Sequence, residues 1–320
     1  MTAAATGIVI LNYRNYGDTL ACIASLRRVA APPWRAAVVD NDSQNGSLEA
    51  IAAALRAQGE PYARMTEAES ASGPLPEARF ALIQCAANRG YAAGNNVGLR
   101  WAMRQGCFYA LILNNDTEVE AGFLSELTGF LEAHADAGAV GPLILDRTGA
   151  VDRQCARRRP TPADYFWRLG FGANLWPGNP WRRRHFYEGE YDFRAPREVD
   201  VLGGSCLLLR MEALRRIGLL DERTFLFLEE FILHERLRAL GLRSYIVPSA
   251  VVRHKGGQSI GAQPSLAMCR HGLDSLRYYL RHYRGYAPWF CRLLMSKELL
   301  RYAALRMFSG LGARRWRRGR

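Results

Sequence analysis

Over the first 150 residues, short runs of apolar and β-branched side chains alternate with stretches whose apolar positions recur every three or four residues. The runs read as strands and the recurring stretches as helices with one buried stripe. On that basis 7–12 is a first strand, and a helix begins at Asp18 with Leu20, Ile23 and Leu26 at helical spacing. A second strand follows at 36–40, then a polar loop at 41–46, a helix from Ser47 and a strand at 80–84. A helix over 92–105, a buried strand over 108–113, a helix over 122–134 and a strand over 140–145 continue the series. This βαβα order predicts an α/β fold with a mostly parallel sheet flanked by helices. Ligands of such sheets bind beyond the carboxyl ends of the strands, here Asn12, Asp40 and Asn114-Asn115-Asp116.

Residues 151–199 break the pattern with arginine triplets at 157–159 and 182–184, with Trp167, Trp176 and Trp181, and with five prolines. They read as an irregular insertion, a flap or an acceptor-facing excursion. Regular structure resumes at 201–210, with helices predicted around 212–217 and over 229–240 and a strand at 245–247. From about residue 266 the chain reads as basic helices.

A chain of 320 residues with 49% hydrophobic positions is too apolar for a disordered protein and fits one large domain or two small ones. Its net charge of +13 is unevenly placed. Residues 1–150 hold 11 basic and 15 acidic side chains, 151–250 hold 17 and 13, and 251–320 hold 15 and 2. An excess confined to one end argues against an evenly basic nucleic-acid binder. In that end Phe290, Leu293, Leu294, Leu300 and Leu305 recur at helical spacing beside Arg292, Lys297, Arg301 and Arg306. This is the pattern of a basic amphipathic helix at an anionic membrane surface, or of one packed on its own domain or on a second subunit of a homo-oligomer. No stretch reaches 18 uncharged apolar residues, so a soluble or peripheral protein is expected. Seven scattered cysteines (22, 85, 107, 155, 206, 269 and 291) form no CxxC pair and fit a reducing cytoplasm.

Several segments can carry chemistry. Asp40, in Asp40-Asn41-Asp42-Ser43, either accepts a hydrogen bond from a base or ribose or belongs to a plain turn. The 88–98 segment spaces Gly90, Gly94 and Gly98 four apart, unlike the GxGxxG of dinucleotide binding, and close helix packing also explains it. Asp116 is suited to hold a divalent cation against a diphosphate, or to cap the next segment of chain. Gly203-Gly204-Ser205 admits a close ligand or forms a bend. Glu229-Glu230 opens a helix after the apolar run 225–228, either complementing the helix dipole or supplying a general base. His254 precedes a glycine loop, as a surface residue or a metal ligand.

In order, these segments resemble glycosyltransferase family 2, in its bacterial rhamnosyltransferase-like branch with the Rossmann-like GT-A fold. The motifs are Val9-Ile10-Leu11-Asn12-Tyr13, Val38-Val39-Asp40-Asn41-Asp42-Ser43, the 88–98 segment, Leu113-Asn114-Asn115-Asp116, Leu202-Gly203-Gly204-Ser205, Gly218-Leu219-Leu220-Asp221-Glu222, Phe227-Leu228-Glu229-Glu230 and His254-Lys255-Gly256-Gly257. The resemblance runs from Ile8 to about Ser259 and implies a catalytic domain over 1–262, which leaves the basic helices as an extension over 263–320. It implies transfer of a sugar, rhamnose from dTDP-rhamnose at the level of the branch, with inversion, to a hydroxyl of a cell-surface or lipid-linked glycan. Asn12 and Asp40 would line the nucleoside pocket, and Asn88, Asn96, Asn115 and Asp116 would hold the donor. Asp116 and His254 would bind Mg²⁺ or Mn²⁺, Glu230 would be the base with Glu229 as its substitute, and Gly203 and Gly204 would shape the acceptor side. Two departures stand out. Asn114 and Asn115 replace acids of the metal motif, and Glu230 replaces the usual Asp, displacing the carboxylate by roughly 1.5 Å. The second departure motivates an alternative, an inactive relative serving as a binding or assembly module at the inner face of the cytoplasmic membrane.

Overall fold

A computed structural model describes residues 6–28, 33–167, 179–256 and 265–317. Trp176, Gly257, the rest of the glycine loop and the 262/263 boundary lie outside the described residues, as do the side chains of Trp167, Arg301, Leu305 and Arg306. The strands are β1 (Thr6–Asn12), β2 (Trp34–Asp40), β3 (Tyr62–Thr66), β4 (Phe80–Gln84), β5 (Tyr109–Asn114), β6 (Thr117–Val119), β7 (Ala137–Leu145), β8 (Ala156–Arg157), β9 (Arg197–Val199), β10 (Val201–Leu202), β11 (Cys206–Arg210) and β12 (Arg243–His254). The helices are α1 (Tyr16–Arg28), α2 (Ser47–Ala57), α3 (Glu67–Ser72), α4 (Tyr91–Arg104), α5 (Phe123–Ala133), α6 (Pro162–Trp167), α7 (Pro180–His185), α8 (Met211–Ile217), α9 (Glu229–Ala239), α10 (Leu266–Tyr278) and α11 (Pro288–Arg317).

The main sheet runs β3-β4-β2-β1-β5-β11-β7-β12-β6, with β9 beside β12. From β3 to β5 it is parallel, and β11 enters antiparallel between β5 and β7. Ile8, Val9 and Ile10 of β1 and Val38 and Val39 of β2 are fully buried, as strands covered on both faces must be. Their register sets Asn12 beside Asp40 and Leu11 beside Asn114, so the polar strand ends lie at one level. Helix α4 lies on β1 and β2. A Cβ on Gly94 would come within 2.6 Å of Leu11, and one on Gly98 within 2.4 Å of Val9, so close packing explains this glycine spacing.

The structure adds elements that periodicity did not predict. Strand β3 is a half-exposed edge whose Arg64 and Thr66 interrupt any apolar run, and α3 is only six residues long, started by a Thr66–Glu69 capping box. Strand β12 extends well beyond the predicted 245–247, because a bulge between Val247 and Val251 accommodates Pro248 within the strand.

The first part of the basic extension packs on the body. Tyr279, Leu280, Cys291 and Leu294 form a second apolar cluster with Tyr165, Phe231 and Ile232. The Tyr278 and Tyr283 hydroxyls donate to Asp221 at 2.7 and 2.5 Å, and that of Tyr279 donates to Glu235 at 2.9 Å. Among the described residues, no helix is long and apolar enough to cross a membrane.

Candidate active site

Beyond the strand ends lies a cavity of about 1000 Å³. Its floor is a hydrogen-bond network. The Asn12 amide donates to Asp40 at 2.8 Å and to Ser43 at 3.2 Å, while its oxygen accepts from Thr19 at 2.7 Å. Asn115 donates to the same Thr19 hydroxyl at 3.1 Å, and Asp40 also accepts from the Ser43 backbone at 2.8 Å. Asn12 and Asp40 are therefore occupied with each other and with the loop after β2, and they stand behind the cavity lining. Their neighbour Asn41 does line it, donating to Asn88 at 3.0 Å. Asn115 and Asp116 line the cavity as their strand-end positions predict, and Asn88, named through the resemblance, lines it as well. Asn96 does not: it donates to the Leu220 carbonyl at 2.9 Å and accepts from the Leu220 N–H at 3.0 Å, pinning the turn after α8.

Asp116 and His254 meet at one edge, Oδ1 to Nε2 at 3.1 Å. Burial works against the imidazolium, but the hydrogen bond and charge of Asp116 outweigh it and raise the His254 pKa above its ordinary value. Among the described residues no group of three or more His, Cys, Asp or Glu converges to enclose an ion. A carboxylate oxygen and an imidazole nitrogen side by side nevertheless suit a divalent cation whose remaining positions are filled by phosphate oxygens.

The two glutamates open α9 in different environments. Glu230 is in an ion pair with Arg157 at 2.9 Å, and both line the cavity. The same guanidinium donates to the Leu202 carbonyl at 3.1 Å and stacks on Phe231 at 4.6 Å. The Leu202 N–H donates to Nε2 of His234, whose Nδ1 sits 2.6 Å from the Glu230 carbonyl. Both sides of the Leu202 residue are thus tied to the start of α9, which sets the Gly203-Gly204 turn against Glu230. A Cβ on Gly204 would lie 3.8 Å from that of Glu230, and one on Gly203 would press on Gln154 and Cys155 at 3.1 and 3.2 Å.

Glu229 is buried, and its Oε1 has no hydrogen-bond partner among the described residues. Burial first, and the charge of Glu230 second, push its carboxyl up to about 8. Between pH 4.5 and 8 the folded chain holds a proton that the unfolded chain has released, so stability falls as pH rises through that window. Glu229→Gln removes this dependence. Thermal melts are expected to show a flatter stability profile from pH 5 to 8 in the variant than in the parent chain.

No role is assigned from the sequence to Arg157, Tyr91 or the 225–228 segment. Nothing local separates Arg157 from Arg158 and Arg159; only its burial does. The Tyr91 hydroxyl lies 2.9 Å from both Asn114 Oδ1 and the Gly204 carbonyl, bridging the end of β5 and the Gly203-Gly204 turn. Phe227 and Leu228 both have left-handed backbones, φ 76° and 68°, a strained turn that launches α9. It is held from two sides: Tyr91 N–H donates to the Phe225 carbonyl at 2.9 Å, and Ser275 of α10 donates to the Leu226 carbonyl at 2.8 Å. Gly90 makes the first contact possible, with φ 98° and space for no Cβ, which would sit 2.2 Å from the Phe225 oxygen. Gly90→Ala is expected to cost roughly 2–3 kcal/mol, read as a lowered melting temperature, because it adds that clash to an unfavourable backbone.

Comparison with known proteins places this geometry. The family model described as Glycosyl transferase family 2 matches residues 7–218. An N-acetylglucosaminyl-diphospho-decaprenol L-rhamnosyltransferase of Mycobacterium tuberculosis is 33% identical over 207 residues, 62% of this chain and 65% of that protein. The match thus spans less than two thirds of that curated relative's length. The low-salt glycan biosynthesis hexosyltransferase Agl10 of Haloferax volcanii is 27% identical over 149 residues, 46% of this chain and 43% of that protein. Among solved structures, GalNAc-T7 with UDP, GalNAc and Mn²⁺ superposes with a TM-score of 0.57 at 13% identity, covering 88% of this chain and 49% of that one. The mannosyltransferase PcManGT of Pyrobaculum calidifontis with GDP-Man and Mn²⁺ gives 0.52 at 14% identity, covering 92% and 68%. These similarities carry the expected fold, an α/β sheet of the same type as in those sugar transferases.

Proposed function

This chain belongs to glycosyl transferase family 2, and from that premise we propose that it transfers a sugar from a nucleotide-diphosphate donor to an acceptor hydroxyl with inversion. One observation carries the reading: the Asp116–His254 pair and the Glu230 carboxylate line the same cavity at the carboxyl ends of the parallel strands. Asn88, Asn41 and Asn115 lie on the donor side of that cavity, and Gly204 lies beside Glu230, next to Gly203, on the acceptor side. Asn12 and Asp40 act one layer back, orienting the loop that meets the nucleoside. Asn96 supports the turn after α8 in place of the donor contact expected of it.

In this reading Asp116 and His254 would hold Mn²⁺ or Mg²⁺ with the donor diphosphate, and the nitrogen ligand favours Mn²⁺. When bound, such an ion supplies Lewis-acid stabilisation of the charge on the departing diphosphate. Glu230 accepts the acceptor's hydroxyl proton as that oxygen bonds to the anomeric carbon, and the nucleoside diphosphate leaves with the electron pair of the broken bond. One displacement inverts the centre and needs no covalent nucleophile. Arg157 anchors the longer Glu side chain through the 2.9 Å ion pair. Glu229, which holds its proton at neutral pH, is unsuited to accept another.

The finer reading, L-rhamnose from dTDP-rhamnose onto a lipid-linked glycan, is supported by the mycobacterial relative's name. Calorimetric titration with dTDP-rhamnose and with other nucleotide sugars, with and without Mn²⁺, tests it. Saturable binding that requires Mn²⁺ and is tightest for dTDP-rhamnose is expected; absence of binding by every donor would overturn it.

A further inference from the structure

Helix α11 has two apolar sides. Its inner side buries Cys291 and Leu294 in the second cluster and closes the cavity with Glu298 and Tyr302. Its outer side carries Trp289, Leu293, Leu299 and Leu300, which are 67, 45, 49 and 71% exposed. From Trp289 these stand at i, i+4, i+10 and i+11, and exposed Ser296 and Ala303 occupy i+7 and i+14. At 3.6 residues per turn such positions form one stripe, roughly 20 Å long from 289 to 303. The sequence pattern had mixed the sides: Leu294 is buried and Phe290 half-buried, whereas Trp289 and Leu299 face out. Four large apolar side chains in one exposed row mark an interaction surface.

The segment that carries the stripe is strongly basic in sequence, which says what fits it. Residues 251–320 hold 15 basic and 2 acidic side chains, and one of the two acids, Glu298, faces the cavity. Exposed Arg292 lies within the stripe itself. A second copy of this chain would bring the same positive charge to the same face. A nucleic acid would leave the apolar row uncovered. An anionic bilayer satisfies both, taking the apolar side chains at the level of the headgroups and pairing its phosphates with Arg292, and an indole at that depth is favourable.

We propose that the protein docks on an anionic phospholipid surface through Trp289, Leu293, Leu299 and Leu300, with α11 lying in the plane of the interface. The cavity walled by the other side of the same helix then opens beside the bilayer, where an amphiphilic acceptor would be presented. Docking needs neither donor nor acceptor, so its test is independent of the proposed reaction. The full chain is floated with vesicles of phosphatidylglycerol and phosphatidylcholine, and with vesicles of phosphatidylcholine alone. Binding to the anionic vesicles is expected to be at least about tenfold tighter and to weaken with salt. Leu293→Gln combined with Leu300→Gln should weaken it by about tenfold or more with an unchanged melting temperature. Should that variant fold poorly, Arg292→Glu gives a second reading, a reduced preference for anionic vesicles. Equal binding to both vesicle types, no binding, or undiminished binding by the folded variants would overturn the proposal. So would a dimer in size-exclusion chromatography that the double variant dissolves, because the stripe would then be a self-contact.

Discussion

We expect Glu230→Gln to lower kcat about 10²- to 10⁴-fold while leaving the donor dissociation constant unchanged. Glutamine keeps the shape and one acceptor oxygen for Arg157 but cannot take a proton, so the loss falls on the chemical step, about 3–5 kcal/mol of barrier. Because Arg157 is nearly buried and loses its countercharge, a lower melting temperature is also expected. Melts must therefore accompany the kinetics, and assays belong well below the variant's transition. Glu229→Gln is the internal control. If Glu229 were the base, its variant would carry the large loss and Glu230→Gln the small one.

The second large effect is expected at the other edge of the cavity. Asp116→Asn and His254→Ala should each weaken Mn²⁺-dependent donor binding about 10- to 100-fold or more, since no third His, Cys, Asp or Glu converges there among the described residues. His254→Ala also strips Asp116 of its 3.1 Å partner, and titration of Mn²⁺ at fixed donor separates the two roles. A variant whose apparent Mn²⁺ affinity is unchanged would remove that residue from the ion's coordination.

Much of the fold was legible because buried parallel strands write themselves as apolar runs: 80–84 was predicted to the residue, and β1, β2 and β5 to within two. Edge strand β3, the three-residue β6 and the continuation of β12 past Pro248 were hidden because their patterns depend on partners, not on local period. The strand-end chemistry was legible in type and only partly in role. Asn12 and Asp40 sit at the predicted level, yet hydrogen-bond accounting turns them towards Thr19 and Ser43, away from the lining. Asn96 is expected at the donor only through the resemblance, and its amide instead meets a backbone turn more than a hundred residues away, because a buried Asn takes whatever partners the packing brings. Arg157 could not be read at all: its meaning comes from a two-residue pairing of β8 with β10 that brings 157 opposite 201. The basic extension also touches the site: α10 and α11 line the cavity, and the 266–294 stretch supplies Leu276, Tyr279, Leu280, Cys291 and Leu294 to the second cluster.

The proposed reaction is a single inverting transfer in this one cavity. Its most direct measurement combines the full chain with dTDP-rhamnose, Mn²⁺ and a short-chain N-acetylglucosaminyl-diphospho-prenol acceptor, and reads the product by mass and by the NMR coupling of its anomeric centre. The expected result is a monoglycosylated product with the anomeric configuration opposite to that of the donor, formed only with Mn²⁺ or Mg²⁺ and lost in Glu230→Gln. A product of retained configuration would contradict it, as would no transfer from any nucleotide sugar by protein shown to be folded.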